Sequence, residues 1–132
     1  MTEEFVNNSG QGPQAAAPAE VLTSFNWGAF FLNWIWGVGN KTYLTLVIFA
    51  TILVSWIPLI GGLVPLGLCI WFGMKGNEWA WQNKQWESVE HFHSVQKTWA
   101  AWGLGLFIAG VVLGIVLAFV IGAAAVMSGA QG

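Results

Sequence analysis

Apolar residues run through most of this chain, and one stretch of them is long enough to cross a bilayer. Residues 99–127 contain no charged side chain. As an α-helix with a rise of about 1.5 Å per residue they are about 43 Å long, which exceeds the roughly 30 Å of a hydrocarbon core. The pattern therefore predicts one full transmembrane helix over 99–127, with some tilt.

A second uncharged stretch, residues 42–74, is too long for a single straight span. It would measure about 50 Å as one helix, and proline and glycine, which weaken helices, interrupt it near the middle. The interrupting residues are Pro58, Gly61, Gly62 and Pro65. We expect a helical hairpin with arms at about Tyr43–Trp56 and Leu63–Met74. Each arm is only about 18–21 Å long, so the sequence is compatible both with a hairpin that spans a thinned bilayer and with a re-entrant one.

Aromatic segments flank this hairpin on both sides. Residues 24–40 predict a short helix capped by Asn26, and its length of about 21 Å and its aromatic character favour a position in the membrane interface. Residues 75–98 predict an amphipathic helix on the cytoplasmic face, with tryptophans on two opposite sides. One side would meet lipid or the hairpin, and the other a second protein surface. The tryptophans expected at the interface or in partner contacts are Trp27, Trp34, Trp36, Trp79, Trp81, Trp86, Trp99 and Trp102.

Together these elements predict an all-α membrane protein with a single domain. Residues 1–22 are rich in Asn, Gly, Gln, Pro and Ala, so they have little to bury and are expected to form a flexible tail. Residues 23–132 are expected to form the membrane domain. Hydrophobic residues make up 56% of the chain and charged residues 8%, which suits a chain whose apolar faces are solvated by lipid.

Small residues recur at every fourth position within the predicted span, at Gly110, Gly114, Ala118 and Gly122. In a helix they form one ridge that lets two backbones approach closely, and such packing drives association in lipid. We therefore expect a homo-oligomer that packs through this ridge.

The few charges exclude one class of partner and indicate an orientation. The net charge is −2 and the chain has no Arg, so it lacks the basic patch that nucleic-acid binding needs. The four lysines all fall on one side of the predicted spans, and they are Lys41, Lys75, Lys84 and Lys97. The positive-inside rule makes that side cytoplasmic, which predicts a cytoplasmic N-terminus and an exoplasmic C-terminus.

One cluster of ionisable side chains is a weak candidate for a metal site. Its members are Glu87, Glu90, His91 and His93. Glu-x-x-His is the spacing of helical di-metal sites, but those need matching ligands from other helices, and a solvated face with local ion pairs is the commoner explanation. The sequence has no nucleophile motif and no phosphate-binding loop. We therefore expect no enzyme activity, no cofactor and no metal.

Two stretches carry a resemblance to a known family: FNWGAFFLNWIWGVGN at 25–40 and GMKGNEWAWQNKQWESVEHFHSVQKTWAAWG at 73–103. They resemble a family of small bacterial membrane proteins of unknown function, some of whose members carry the label ribonuclease G. The resemblance implies a bacterial origin and a location in the inner (cytoplasmic) membrane, and it implies no mechanism. A metal-dependent nuclease needs acidic ligands and an RNA-binding surface, and this chain has neither Asp nor a basic patch.

Three functions agree with these features. The first is a non-enzymatic, self-associating membrane protein that organises or bends the bilayer. The second is a channel or carrier for a small solute, formed between subunits. The third is a lipid- or quinone-binding partner of a membrane enzyme. Because transport paths normally carry ionisable residues within the spans, the uncharged spans favour the first.

Overall fold

The structure, a computed structural model, describes residues 7–131, and all the regular elements in this part of the chain are helices. The prediction of an all-α protein is thereby confirmed. The elements are α1 (Ala19–Leu22), α2 (Trp27–Leu32), α3 (Trp34–Gly39), a 3-10 helix (Tyr43–Val54), α4 (Ile60–Asn83) and α5 (Val89–Gln131).

The predicted span lies within α5, the longest helix of the structure. This helix has 43 residues, and it is the one helix among the described residues that is long and apolar enough to cross a membrane. Every residue from Leu104 to Ala130 is exposed. A helix that is apolar on all sides and uncovered by its own chain needs an apolar solvent or a partner around it.

The predicted hairpin is present, with two differences from the expected arms. Its first arm is a 3-10 helix of 12 residues, which at about 2.0 Å per residue is about 24 Å long. The chain turns at 55–59, and Leu59 adopts a positive φ of 69°. The second arm, α4, continues through Pro65 and extends nine residues beyond Met74, to Asn83.

The segment 24–40 forms two short helices rather than the single interfacial helix that we expected. Asn26 caps α2 as predicted, because its side chain accepts a hydrogen bond from Ala29 N. The chain then reverses at Asn33, whose φ is 32° and whose side chain accepts from Trp34 N at the start of α3. The side chain of Asn33 therefore caps the start of α3 at the point where α2 ends.

Glycines on both long helices allow α2 to lie between them. A Cβ at Gly76 of α4 would stand 3.0 Å from Ala29 Cβ, and one at Gly103 of α5 would stand 2.9 Å from Phe31 Cβ. Larger residues would push α2 out. The short helix therefore separates α4 from α5 along this part of their length.

Contacts along α2 establish its direction relative to both neighbours. Through Asn26, its start contacts Asn77 of α4 and Gln96 of α5. Its end contacts Cys69 of α4 and Phe107 of α5. Thus α2 is parallel to α5 and antiparallel to α4. The hairpin and the apolar part of α5 therefore extend from the same end of this packed region.

The predicted amphipathic helix over 75–98 is corrected by the structure. Residues 75–83 are the end of α4, 84–88 form a turn, and α5 begins at Val89. The turn places the Trp86 ring inside the fold, 4.9 Å from the ring of Phe92, and its indole N–H donates to Ala80 O at 2.9 Å. No proline or glycine marks this turn, but Ser88 caps the helix that follows, because its side chain accepts a hydrogen bond from His91 N at 3.0 Å.

Part of the expected tail contacts α4, and its flexibility stays a prediction; residues 1–6 lie outside the described residues. Gly10 N donates to Trp81 O at 2.8 Å, and Gly12 N donates to Gln82 O at 2.9 Å. These carbonyls belong to the last turn of α4, where carbonyl groups have no hydrogen-bond partners within the helix. The segment therefore caps α4, and farther along the expected tail Ala15 and Val21 are buried.

A small aromatic core joins these elements into what we call the head, made of residues 7–42 and 72–103. Its largest fully buried side chains are three tryptophans and two phenylalanines. The buried core residues are Val21, Ala29, Leu32, Trp36, Phe72, Ala80, Trp81, Trp86 and Phe92.

Candidate functional site

Buried amide side chains meet at the centre of the head. Gln96 Oε1 accepts hydrogen bonds from Asn26 Nδ2 at 2.9 Å and from the Trp36 indole N–H at 2.8 Å. Gln96 Nε2 donates to Asn40 Oδ1 at 2.8 Å. Asn26 Nδ2 also donates to Asn77 Oδ1 at 2.8 Å. We call Asn26, Asn40, Asn77 and Gln96 the amide network.

The amide network connects four segments that are far apart in sequence. Asn26 precedes α2, Asn40 follows α3, Asn77 lies on α4 and Gln96 on α5. An unpaired buried polar group costs about 1–3 kcal/mol, so these bonds strongly favour one arrangement of the head. Within residues 7–131, no buried side-chain nitrogen or oxygen lacks a partner. Because amides do not titrate near neutral pH, the network positions helices and cannot transfer protons.

A groove lies beside the network, between α2 and α5. The half nearer the network has a volume of about 430 Å³ and is bordered by Trp27, His93 and Lys97. The other half, which we call the apolar half, has a volume of about 460 Å³ and is bordered by Trp27, Phe31 and Leu104. Trp27 and Lys97 border both halves, so the groove runs from the head to the apolar part of α5.

Within the described residues, the structure does not gather Glu87, Glu90, His91 and His93 into one group of potential metal ligands. Glu87 lies in the turn before α5, and its backbone N–H donates to His91 Nδ1 at 3.3 Å. Across the described residues, no group of three or more His, Cys, Asp or Glu side chains could hold a metal ion. Glu90 is exposed, and His93 lies on the groove.

The structure divides the eight predicted tryptophans into two sets. Trp36, Trp81 and Trp86 are at most 2% exposed, so the prediction that they meet lipid or a partner is wrong, because the chain itself buries them. The exposed tryptophans are Trp27, Trp34 and Trp102, and Trp79 and Trp99 are half-buried.

The small-residue ridge is uncovered along its whole length. All four positions, Gly110, Gly114, Ala118 and Gly122, are exposed. A Cβ added at any of the three glycines would meet nothing within 4 Å. The ridge is thus accessible, and its role in oligomer packing stays a prediction.

Three hydroxyl groups in or next to the 3-10 arm are bonded to nearby backbone carbonyls. Thr45, Thr51 and Ser55 each donate to the carbonyl three residues earlier, at 2.7–3.0 Å. This is the same spacing as the backbone bonds of a 3-10 helix. These hydroxyls therefore offer no polar path through the hairpin.

Sequence reasoning missed the amide network. The available signal was the presence of Asn26, Asn40, Asn77 and Gln96 within otherwise aromatic segments, since a buried polar side chain needs a partner. Which amide pairs with which depends on how the segments pack, and that is not readable from spacing.

Comparison with known proteins adds no relative. No family model matches the chain, and no curated protein or solved structure is significantly similar to it.

Proposed function

We propose that this chain is a non-enzymatic membrane protein that self-associates and shapes the bilayer around it. The observation that carries the proposal is the difference in length between two apolar helical segments that extend from the head. The uncharged part of α4, Ile60–Met74, is about 22 Å long, and the stretch 99–127 of α5 is about 43 Å long. For a hydrocarbon core of roughly 30 Å, the α5 stretch is long enough to cross and the α4 stretch is not.

A hairpin that enters from the side of the head adds bulk to one leaflet more than to the other. Its tip suits hydrocarbon, because Ile57 N donates to Val54 O at 3.0 Å and Gly61 N to Ile57 O at 2.8 Å. In lipid, backbone groups need such internal partners. Pro58, at the same turn, has no N–H to satisfy. The hairpin is therefore proposed to be a re-entrant wedge rather than a second span.

Self-association would bring several hairpin wedges together and so increase their combined effect on the shape of the bilayer. The ridge at Gly110, Gly114, Ala118 and Gly122 is exposed, and small residues at this spacing let helices pack closely in lipid. The resemblance to small bacterial membrane proteins supports an inner-membrane location, and the positive-inside rule supports a cytoplasmic head.

The alternative of a channel or carrier receives no support from the described residues. The hydroxyls of Thr45, Thr51 and Ser55 are bonded to nearby backbone carbonyls, and the groove beside α5 borders the head and the start of the apolar stretch. The uncharged apolar helices also lack the ionisable residues of transport paths.

The test replaces Gly110 and Gly114 together by leucine and measures the mass of the detergent-solubilised protein by light scattering. We expect the wild type to be an oligomer and the variant to be smaller, because leucine separates the backbones. Leucine at Val112 and Val116, on another face of the same helix, is the matched control and should leave the mass unchanged. An unchanged mass in the glycine variant would exclude packing through the ridge.

Bilayer shaping is tested separately by reconstitution into phosphatidylcholine vesicles followed by electron microscopy. We expect the wild type to give smaller or tubular vesicles and the ridge variant to give vesicles like those without protein. If the wild type inserts and leaves vesicle shape unchanged, the bending role is wrong even where the oligomer exists.

A further inference from the structure

The groove between α2 and α5 has a mainly apolar lining and carries a cation where its two halves meet. His93 lies at the end nearer the amide network, Lys97 borders both halves, and Phe31 and Leu104 lie at the apolar end. His93 and Leu104 are about 16 Å apart along the axis of α5. The Trp27 side chain borders both halves and is 51% exposed, so its ring is open to a ligand in either half.

We propose that this groove binds one anionic phospholipid, with the phosphate at Lys97 and an acyl chain along Trp27 and Phe31. The inference deepens the proposed function because it requires α5 to lie in a membrane, but it does not require self-association.

Charge carries the choice of an anionic lipid. Lys97 is exposed and forms no ion pair or side-chain hydrogen bond among residues 7–131. Neither half of the groove is bordered by an acidic side chain. Glu90 lies two turns earlier on α5, about 10 Å along the axis. It borders a neighbouring depression together with His93 and Lys97, but it forms no ion pair with Lys97. A phosphate at Lys97 therefore meets a cation whose charge is not already neutralised.

Neighbouring groups add donors beside that cation. His93 is one helical turn from Lys97 and carries at least one N–H in either protonation state. The Ser24 side chain borders the same half of the groove and accepts from Asn77 Nδ2 at 3.2 Å, so its own hydroxyl proton is available. Ammonium, imidazole and hydroxyl groups are all donors that phosphate oxygens accept.

The depth of the site in the membrane also fits. Lys97 is the last charged residue before the uncharged stretch of α5. A lysine there can lay its aliphatic stem along the apolar surface and keep its ammonium group at the level of the headgroups. An acyl chain that follows the groove from this point enters the hydrocarbon beside Leu104.

The experiment is native mass spectrometry of the full chain in detergent, titrated with phosphatidylglycerol or with phosphatidylcholine of the same acyl chains. We expect one phosphatidylglycerol to be retained about fivefold more strongly, since one lysine near a membrane surface contributes about 1 kcal/mol. Lys97→Gln should abolish this preference and leave phosphatidylcholine binding unchanged. Lys41→Gln, an exposed lysine outside the groove, is the matched control and should keep it.

A second variant tests the apolar half. Ala101 is exposed and borders that half, so Ala101→Trp fills the groove without disturbing the core and should weaken the retention of both lipids. Tryptophan fluorescence melts verify that each variant is folded. Equal retention of the two lipids by the wild type, a preference that survives Lys97→Gln, or full retention by Ala101→Trp would each overturn the proposal. Oligomer mass is read from the same spectra, so a monomer that prefers phosphatidylglycerol contradicts self-association and leaves the lipid site standing.

Discussion

Replacement of Gln96 by leucine is the sharpest test of the amide network. Leucine is close to glutamine in volume, so the change removes hydrogen bonds without leaving a large cavity. Asn26 Nδ2 loses one bond and keeps its bond to Asn77. The Trp36 indole N–H and Asn40 Oδ1 lose the only partners that the structure gives them. Two orphaned buried groups at about 1–3 kcal/mol each predict a loss of about 2–6 kcal/mol in the free energy of unfolding.

The assay is unfolding in mixed micelles of a mild detergent and a rising fraction of dodecyl sulfate, followed by tryptophan fluorescence. The ten tryptophans, three of them fully or almost fully buried, give a strong signal for the packing of the head. Gln85→Leu is the matched control, because Gln85 is exposed in the turn between α4 and α5 and should change stability by less than about 0.5 kcal/mol. A Gln96→Leu protein as stable as the Gln85→Leu protein would refute the reasoning that these bonds hold the head together.

Three further predictions concern close packing, backbone strain and orientation. Gly37→Ala should lower the melting temperature in detergent, because the added methyl group meets the Thr45 side chain and stands 2.7 Å from Thr42 O; Gly62→Ala, which meets nothing within 4 Å, should be neutral or stabilising, and equal effects would contradict the packing. Leu59→Gly should unfold with a free energy about 1 kcal/mol higher than Leu59→Ala, because a positive φ costs an L-residue about 1–2 kcal/mol; the reverse order, measured by the same micelle titration, would show that no strain exists there. A reporter active only in the cytoplasm should give signal when fused to the N-terminus and none when fused after the last residue; strong signal from the C-terminal fusion would reverse the proposed orientation.

Much of the architecture follows from the order of apolar and polar residues alone. The long span required only an uncharged stretch of sufficient length, which is a property of local composition. The hairpin required only breaks near the middle of a second stretch, and the structure turns at 55–59, where Pro58 stands. The cap at Asn26 is also local, since an asparagine before an aromatic helix can bind the backbone three residues on. Such features can be predicted because each depends only on residues that are close together in the sequence.

The tertiary structure alone decided which aromatic and polar residues are buried. Tryptophan occurs both in protein cores and at membrane interfaces. The sequence therefore could not distinguish the buried Trp36, Trp81 and Trp86 from the exposed Trp27. The turn at 84–88 carries no glycine or proline, and it places the Trp86 ring inside the head. Ser88, whose side chain accepts from His91 N, is a local signal for the start of α5, but nothing local indicates that the ring is buried.

The candidate site depends entirely on tertiary packing. Asn26, Asn40, Asn77 and Gln96 are ordinary polar residues in the sequence, and they become a network only because α2 enters between α4 and α5. The groove above Lys97 exists for the same reason. The sequence by itself determined that this chain has apolar helices long enough for a membrane and a cap at the start of its aromatic segment. Packing decided where the helices break and which side chains meet, because burial energies depend on neighbours that are distant along the chain.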